Sequence, residues 1–91
     1  MTHATVEITV RERYLLEKYL YLSEDVLALL RSSPLVWEMH VFEIDSFWVS
    51  QWIGDLAHAG RKSRSSRLRE ALDELCEVLE GAVRRAEHPR G

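Results

Sequence analysis

An α+β fold is predicted for these 91 residues. Three observations carry the prediction. Apolar residues alternate with period two near the N-terminus and again over 35–44. They recur at helical spacing through most of the remainder, and capping residues stand where one pattern gives way to the next. The expected order is β-α-α-β-α-α: a small two-stranded sheet packed by helices, ending in a long amphipathic helix.

Residues 4–8 read as a short strand, with Val6 and Ile8 alternating against Thr5, Glu7 and Thr9. Thr9 and Glu12 have the spacing of a capping box, in which each side chain satisfies an orphan backbone donor beside the other. The chain should therefore turn from strand to helix near Val10. Leu15, Leu16, Tyr19, Leu20 and Leu22 then form one stripe, while Tyr14 and Tyr21 fall seven residues apart on nearly the opposite side. Ser23-Glu24-Asp25 is a helix start, a hydroxyl cap followed by two carboxylates where the macrodipole favours them. The helix is expected to break near Leu22 and a second to run from Glu24 to about Arg31, a single bent helix over 10–31 being the alternative.

Ser32-Ser33-Pro34 ends that segment, because proline disfavours helix in the residue before it. Leu35–Ile44 reads as one strand, with Leu35, Trp37, Met39 and Val41 on one face and Val36, Glu38, His40, Phe42 and Ile44 on the other. Asp45 caps the next helix, whose stripe is Trp48, Val49, Trp52, Ile53, Leu56 and Ala59, with Phe47 projecting away from it. Gly60 is expected to end this helix as a left-handed C′ residue. The last helix, about 65–87, carries Leu68, Leu72, Leu75, Leu79, Ala82 and Ala86 on one face. Ala71, Cys76, Val78 and Val83 widen the stripe beyond a coiled-coil seam, so this helix should pack within a domain. Its solvent side is acidic, and Glu80 and Arg84 have the favourable order for an i,i+4 pair.

The length fits a single domain over 1–91, with 1–3 and 88–91 expected to fray. A chain this short buries only roughly 60–65% of the surface it exposes when unfolded, which leaves a thin margin for a lone monomer. One cysteine excludes an internal disulfide and suits a reducing compartment. MTHATVEITV has neither a basic leader nor a long apolar core, so no signal peptide is expected, and no apolar run approaches membrane-spanning length. Net charge is –3, but unevenly spread: five of the 12 cations and no acid lie within 61–69, leaving seven cations against 15 acids elsewhere. Such a chain is not a general binder of polyanions.

The basic run Arg61, Lys62, Arg64, Arg67 and Arg69 is the first candidate site, for nucleic-acid phosphates or an acidic protein. Arg67 and Arg69 fall in a first helical turn, where cations oppose the macrodipole. The plainer reading is a solvated loop whose arginines pair with nearby acids, Arg69 with Asp73 for example. His3, His40, His58, His88 and Cys76 lack the spacings of a zinc site, and Asp55 with His58 is the one helical pair of possible ligands. No metal and no cofactor are expected. Trp37, Phe42, Phe47, Trp48 and Trp52 could line a ligand groove, with core packing the simpler reading for the helical stripe. Tyr14, Tyr21 and Phe47 lie off the main stripes and read as an interface.

The layout of 4–31, a strand followed by two short helices with Ser23 at the second cap, resembles the ribbon-helix-helix repressors. There two strands from a dimer pair and enter the major groove. The resemblance covers about 28 residues and departs at Glu7, a carboxylate facing phosphates, and at a turn without glycine; no family is assigned from it. The reading that follows is a small intracellular, cytoplasmic, non-enzymatic protein-interaction domain, an adaptor or regulator. It would be homodimeric, the simplest way to cover the edges of a two-stranded sheet, with a protein partner yet to be identified and no membrane association. The alternative is a nucleic-acid-binding regulator using the segment 61–69.

Overall fold

The computed structural model describes residues 2–87. Seven elements follow one another: β1 (His3–Thr9), α1 (Val10–Tyr19), α2 (Glu24–Ser32), β2 (Leu35–Val36), β3 (Met39–Asp45), α3 (Ser46–Lys62) and α4 (Ser66–Glu87). The class is α+β and mostly helical. The expected fraying of 88–91, and His88, lie outside the described residues.

β1 is built by its alternation. Ala4, Val6 and Ile8 are wholly buried, while Thr5 and Glu7 between them face solvent. It pairs antiparallel with β3 in a register that sets Val6 opposite Phe42 and Ala4 opposite Ile44, so the two apolar rows share one face. The main-chain N–H of Ser46 donates to the Thr2 carbonyl at 2.8 Å and closes that end. This pairing lies within one chain, unlike the strand pairing between chains that the ribbon-helix-helix layout implies.

The sheet has three strands, not two, in the order β1-β3-β2, all antiparallel. The expected single strand 35–44 is instead a hairpin. Trp37 and Glu38 both adopt left-handed backbone, with φ of 53° and 65°, and reverse the chain between Val36 and its partner Met39. A two-residue connection with positive φ at both positions has the twist that adjacent strands require. The element order is therefore β-α-α-β-β-α-α.

The caps explain the helix boundaries. Thr9 Oγ accepts from the Glu12 N–H at 3.1 Å, and Glu12 Oε1 accepts from the Thr9 N–H at 2.9 Å, completing the capping box. The Ser23 hydroxyl accepts from the Val26 N–H, so 10–31 is two helices, with Leu20 to Ser23 between them. Asp45 Oδ1 accepts from the Phe47 N–H at 3.0 Å. The Ser65 hydroxyl does the same for the Leu68 N–H at 3.2 Å.

Gly60 does not terminate α3. The helix continues to Lys62 and is capped at Ser63, and no described glycine has positive φ. Gly60 is instead buried against α4, where a Cβ would meet Leu72 Cδ1 at 3.9 Å. The residue lies inside the helix at its contact with α4, not in a turn, and the space there would admit a methyl group in ordinary contact. α3 and α4, joined by 63–65, form a helical hairpin whose buried rows are Val49, Trp52, Leu56 and Gly60 against Leu72, Leu75, Leu79 and Ala82. α4 also packs along β1, and Trp52 reaches Phe42 with ring centroids 6.5 Å apart. Leu16 of α1 and Leu30 of α2 complete the same core. The helices thus cover one face of the sheet. On the other, His3, Thr5, Glu7, Thr9 and Glu43 are exposed and Met39 and Val41 half-exposed.

Candidate interaction surfaces

Among the described residues, four of the eight exposed large apolar side chains lie at the β2–β3 hairpin or beside it. Leu35 and Val36 lie on a two-residue strand and are exposed, as is Val10 at the start of α1. Trp37, at the tip, is 94% exposed. Val10, Leu35, Trp37 and Met39 line one groove with Thr9, Arg11 and Glu38. An L-residue in left-handed backbone costs roughly 1–2 kcal/mol, and here two consecutive residues adopt it without being glycine or asparagine. The result is that the largest side chain of the segment is held in solvent.

Sequence reasoning placed Trp37 on a strand face and missed this. Trp-Glu carries no turn chemistry, so the reversal had no direct signal. An indirect signal existed: ten residues exceed the usual strand length of about five or six.

Tyr14, Tyr21 and Phe47 are exposed, as their off-stripe positions suggest. The structure does not bring them together. Tyr14 lines a groove with Arg13, Glu17, Lys18 and Arg31. Tyr21 follows α1 and lines another with Asp55, His58 and Lys62. Phe47 sits at the opposite end of α3, edge-to-face with the half-exposed Trp48 at 5.6 Å.

Arg61, Lys62, Arg64, Arg67 and Arg69 are all exposed around the α3–α4 connection. The pairs Arg69–Asp73 and Glu80–Arg84 do not form. Among the described residues the ion pairs are Arg13–Glu17 within α1 and Arg31–Glu17, which ties α2 to α1. The first turn of α4 contains no acid, so its capping by Ser65 is not reinforced by charge. Arg67 lines a groove with Arg11 and Thr9, and those two residues also line the Trp37 groove. The basic connection and the apolar hairpin therefore flank the same start of α1.

The remaining candidates are structural or apart. The Ser33 hydroxyl donates to the Leu30 carbonyl at 2.7 Å, which commits its only proton, so it accepts from Nδ1–H of the buried His40 at 2.9 Å. This pair ties the end of α2 to the sheet. Asp55 and His58 share a groove that His40 does not line. Among the described residues, no three of His, Cys, Asp and Glu stand where they could hold a metal ion. Cys76 is buried and its thiol donates to the Ile53 carbonyl at 3.8 Å. Burial pushes its pKa above the ordinary thiol value, with the nearby charges of Glu80 and Asp73 adding to the rise. No helix among the described residues is long and apolar enough to cross a membrane.

No family model, curated protein or solved structure matches the chain.

Proposed function

We propose that this is a small protein-interaction domain, an adaptor or regulator that acts by binding rather than by catalysis and works as a homodimer in the cytoplasm. The observation that carries the reading is the exposed apolar group Val10, Leu35 and Trp37 around one groove at the β2–β3 hairpin, with Trp37 held outward at a cost in backbone strain. Strain of this kind persists where the exposed side chain has a use, and contiguous apolar surface marks association. The single, buried thiol of Cys76 suits a reducing compartment. The test is molar mass by light scattering across the micromolar range. Twice 10.6 kDa at high concentration, falling on dilution, is expected. A mass of 10.6 kDa throughout rejects the homodimer.

A second reading, a nucleic-acid-binding regulator, is favoured by one observation: the five cations of 61–69 are exposed without ion pairs among the described residues, close to Arg11. Fluorescence anisotropy of labelled oligonucleotides separates the two. A binder using all five cations should show a log–log salt slope of about –4 and lose affinity in an Arg64/Arg67/Arg69→Ala variant. Absence of binding at low salt leaves the protein-interaction reading alone.

A further inference from the structure

We propose that the Trp37 hairpin is the homodimer interface, a second copy of this chain seating its Trp37 in the groove beside the first. The inference rests on the homodimer reading above and adds the place and the contacts.

The surface is self-complementary, as a two-fold contact between identical chains requires. It has a projection, the nearly fully exposed Trp37, whose base also forms one wall of a groove with Thr9, Val10, Leu35 and Met39. It also has one charge of each sign at the groove, Arg11 and Glu38. Glu38 follows Trp37 directly in the turn. When Trp37 enters the partner's groove, Glu38 is carried to the partner's Arg11, and the two-fold axis makes the same pair twice.

The area agrees. Trp37 offers about 200 Å² of mostly apolar surface, and Val10 and Leu35 roughly 60–100 Å² each at their exposures, about 350 Å² in all. A standard interface covers about 800 Å² per partner, a little over half of it apolar. The patch would therefore supply most of the apolar centre of one such interface. An anionic membrane fits the surroundings less well. Glu38 stands in the turn itself, and Glu7 and Glu43 lie on the face of the sheet that Val36 and Met39 share. A second copy, by contrast, brings its own Arg11 to Glu38.

The test uses sedimentation equilibrium of the full chain, three variants at the proposed contact and two, Phe47→Ser and Tyr14→Ser, away from it. The first is the double variant Trp37→Asn/Glu38→Gly, which places asparagine and glycine in the two left-handed positions they favour and so preserves the fold. It should weaken dimerisation by about a thousandfold, since the two-fold contact loses an aromatic anchor on each side. Arg11→Glu should weaken it by at least about tenfold, and Arg11→Glu/Glu38→Arg should restore it. A purely structural role for Trp37 predicts no such charge-swap rescue. A wild-type chain that stays at 10.6 kDa overturns the interface together with the homodimer reading. A dimer that survives Trp37→Asn/Glu38→Gly, or one lost on Phe47→Ser or Tyr14→Ser but not on that variant, overturns the interface and leaves the homodimer standing.

Discussion

The two chain reversals at 37–38 and 63–65 hold side chains in solvent by different means. At 37–38 the means is the backbone: two residues sit in left-handed conformation, and Trp37 projects from a strand only two residues long. At 63–65 the backbone is relaxed. Ser63 Oγ accepts from the Ser65 N–H, Ser65 Oγ from the Leu68 N–H, and both flanking helices rest on a buried core. What opposes stability there is electrostatic, since Arg67 and Arg69 stand where the helix dipole is positive. Backbone strain is local and indifferent to salt. Dipole repulsion is screened. The same property, display at some cost in stability, therefore has two experimental signatures.

The largest effect comes from what supports each turn. Leu72 lies under the α3–α4 connection, about 1% exposed, against Gly60. Leu72→Ala should lower unfolding free energy by about 2–5 kcal/mol in urea titration, a large fraction of a small domain's total. Trp37→Ala removes a larger side chain yet should leave the stability of the monomer nearly unchanged, because nothing packs on it. Equal losses in the two variants would mean that the hairpin is folded into the core.

Next is the strain itself. Glu38→Gly should stabilise the monomer by about 1 kcal/mol, the left-handed penalty less the extra freedom of an unfolded glycine. The gain should be the same in low and high salt. The comparison belongs at protein concentrations where both forms are monomeric, since association adds to apparent stability.

The first turns of the first three helices were the most legible part of the chain. Thr9 with Glu12, Ser23 and Asp45 announce their caps because a side-chain oxygen at that spacing has one obvious donor to satisfy. The buried rows of β1 and α4 were legible from periodicity alone. The hairpin was not, because Val36 and Met39 fit either a continuous strand or its two arms, and Trp-Glu gives no hint of positive φ. The role of Gly60 was hidden for the opposite reason. Glycine near a helix end normally signals a turn, and only the structure shows the helix running on through it to Lys62, with its face against Leu72. Of the candidate sites, the basic cluster and the exposure of Tyr14, Tyr21 and Phe47 could be read from the sequence. The grouping of Val10, Leu35 and Trp37 could not, since it depends on the chain reversing. Gly60→Ala decides between the two roles of that glycine. A helical Gly60 with ordinary contact room for a methyl group predicts a gain of about 0.5–1 kcal/mol, whereas a left-handed C′ residue predicts a loss. Thermal unfolding of the two chains gives the sign.

The smallest effect isolates the electrostatic half of the comparison. Arg67 is exposed in the first turn of α4, which has no acid of its own. Arg67→Glu replaces an unfavourable charge with a favourable one and should stabilise the protein by about 0.3–1 kcal/mol at low ionic strength. At 1 M salt the Debye length falls to about 3 Å and most of the gain should vanish, unlike the gain from Glu38→Gly. A gain that persists in high salt would point to Arg67 packing badly rather than to its charge. A loss at low salt would mean that Arg67 is paired in solution with an acid across the groove, where Glu12, Glu70 and Glu74 stand. In that case the basic surface is internally neutralised at Arg67, and a nucleic acid would find one cation fewer to engage, so the salt slope of any binding should be shallower by about one.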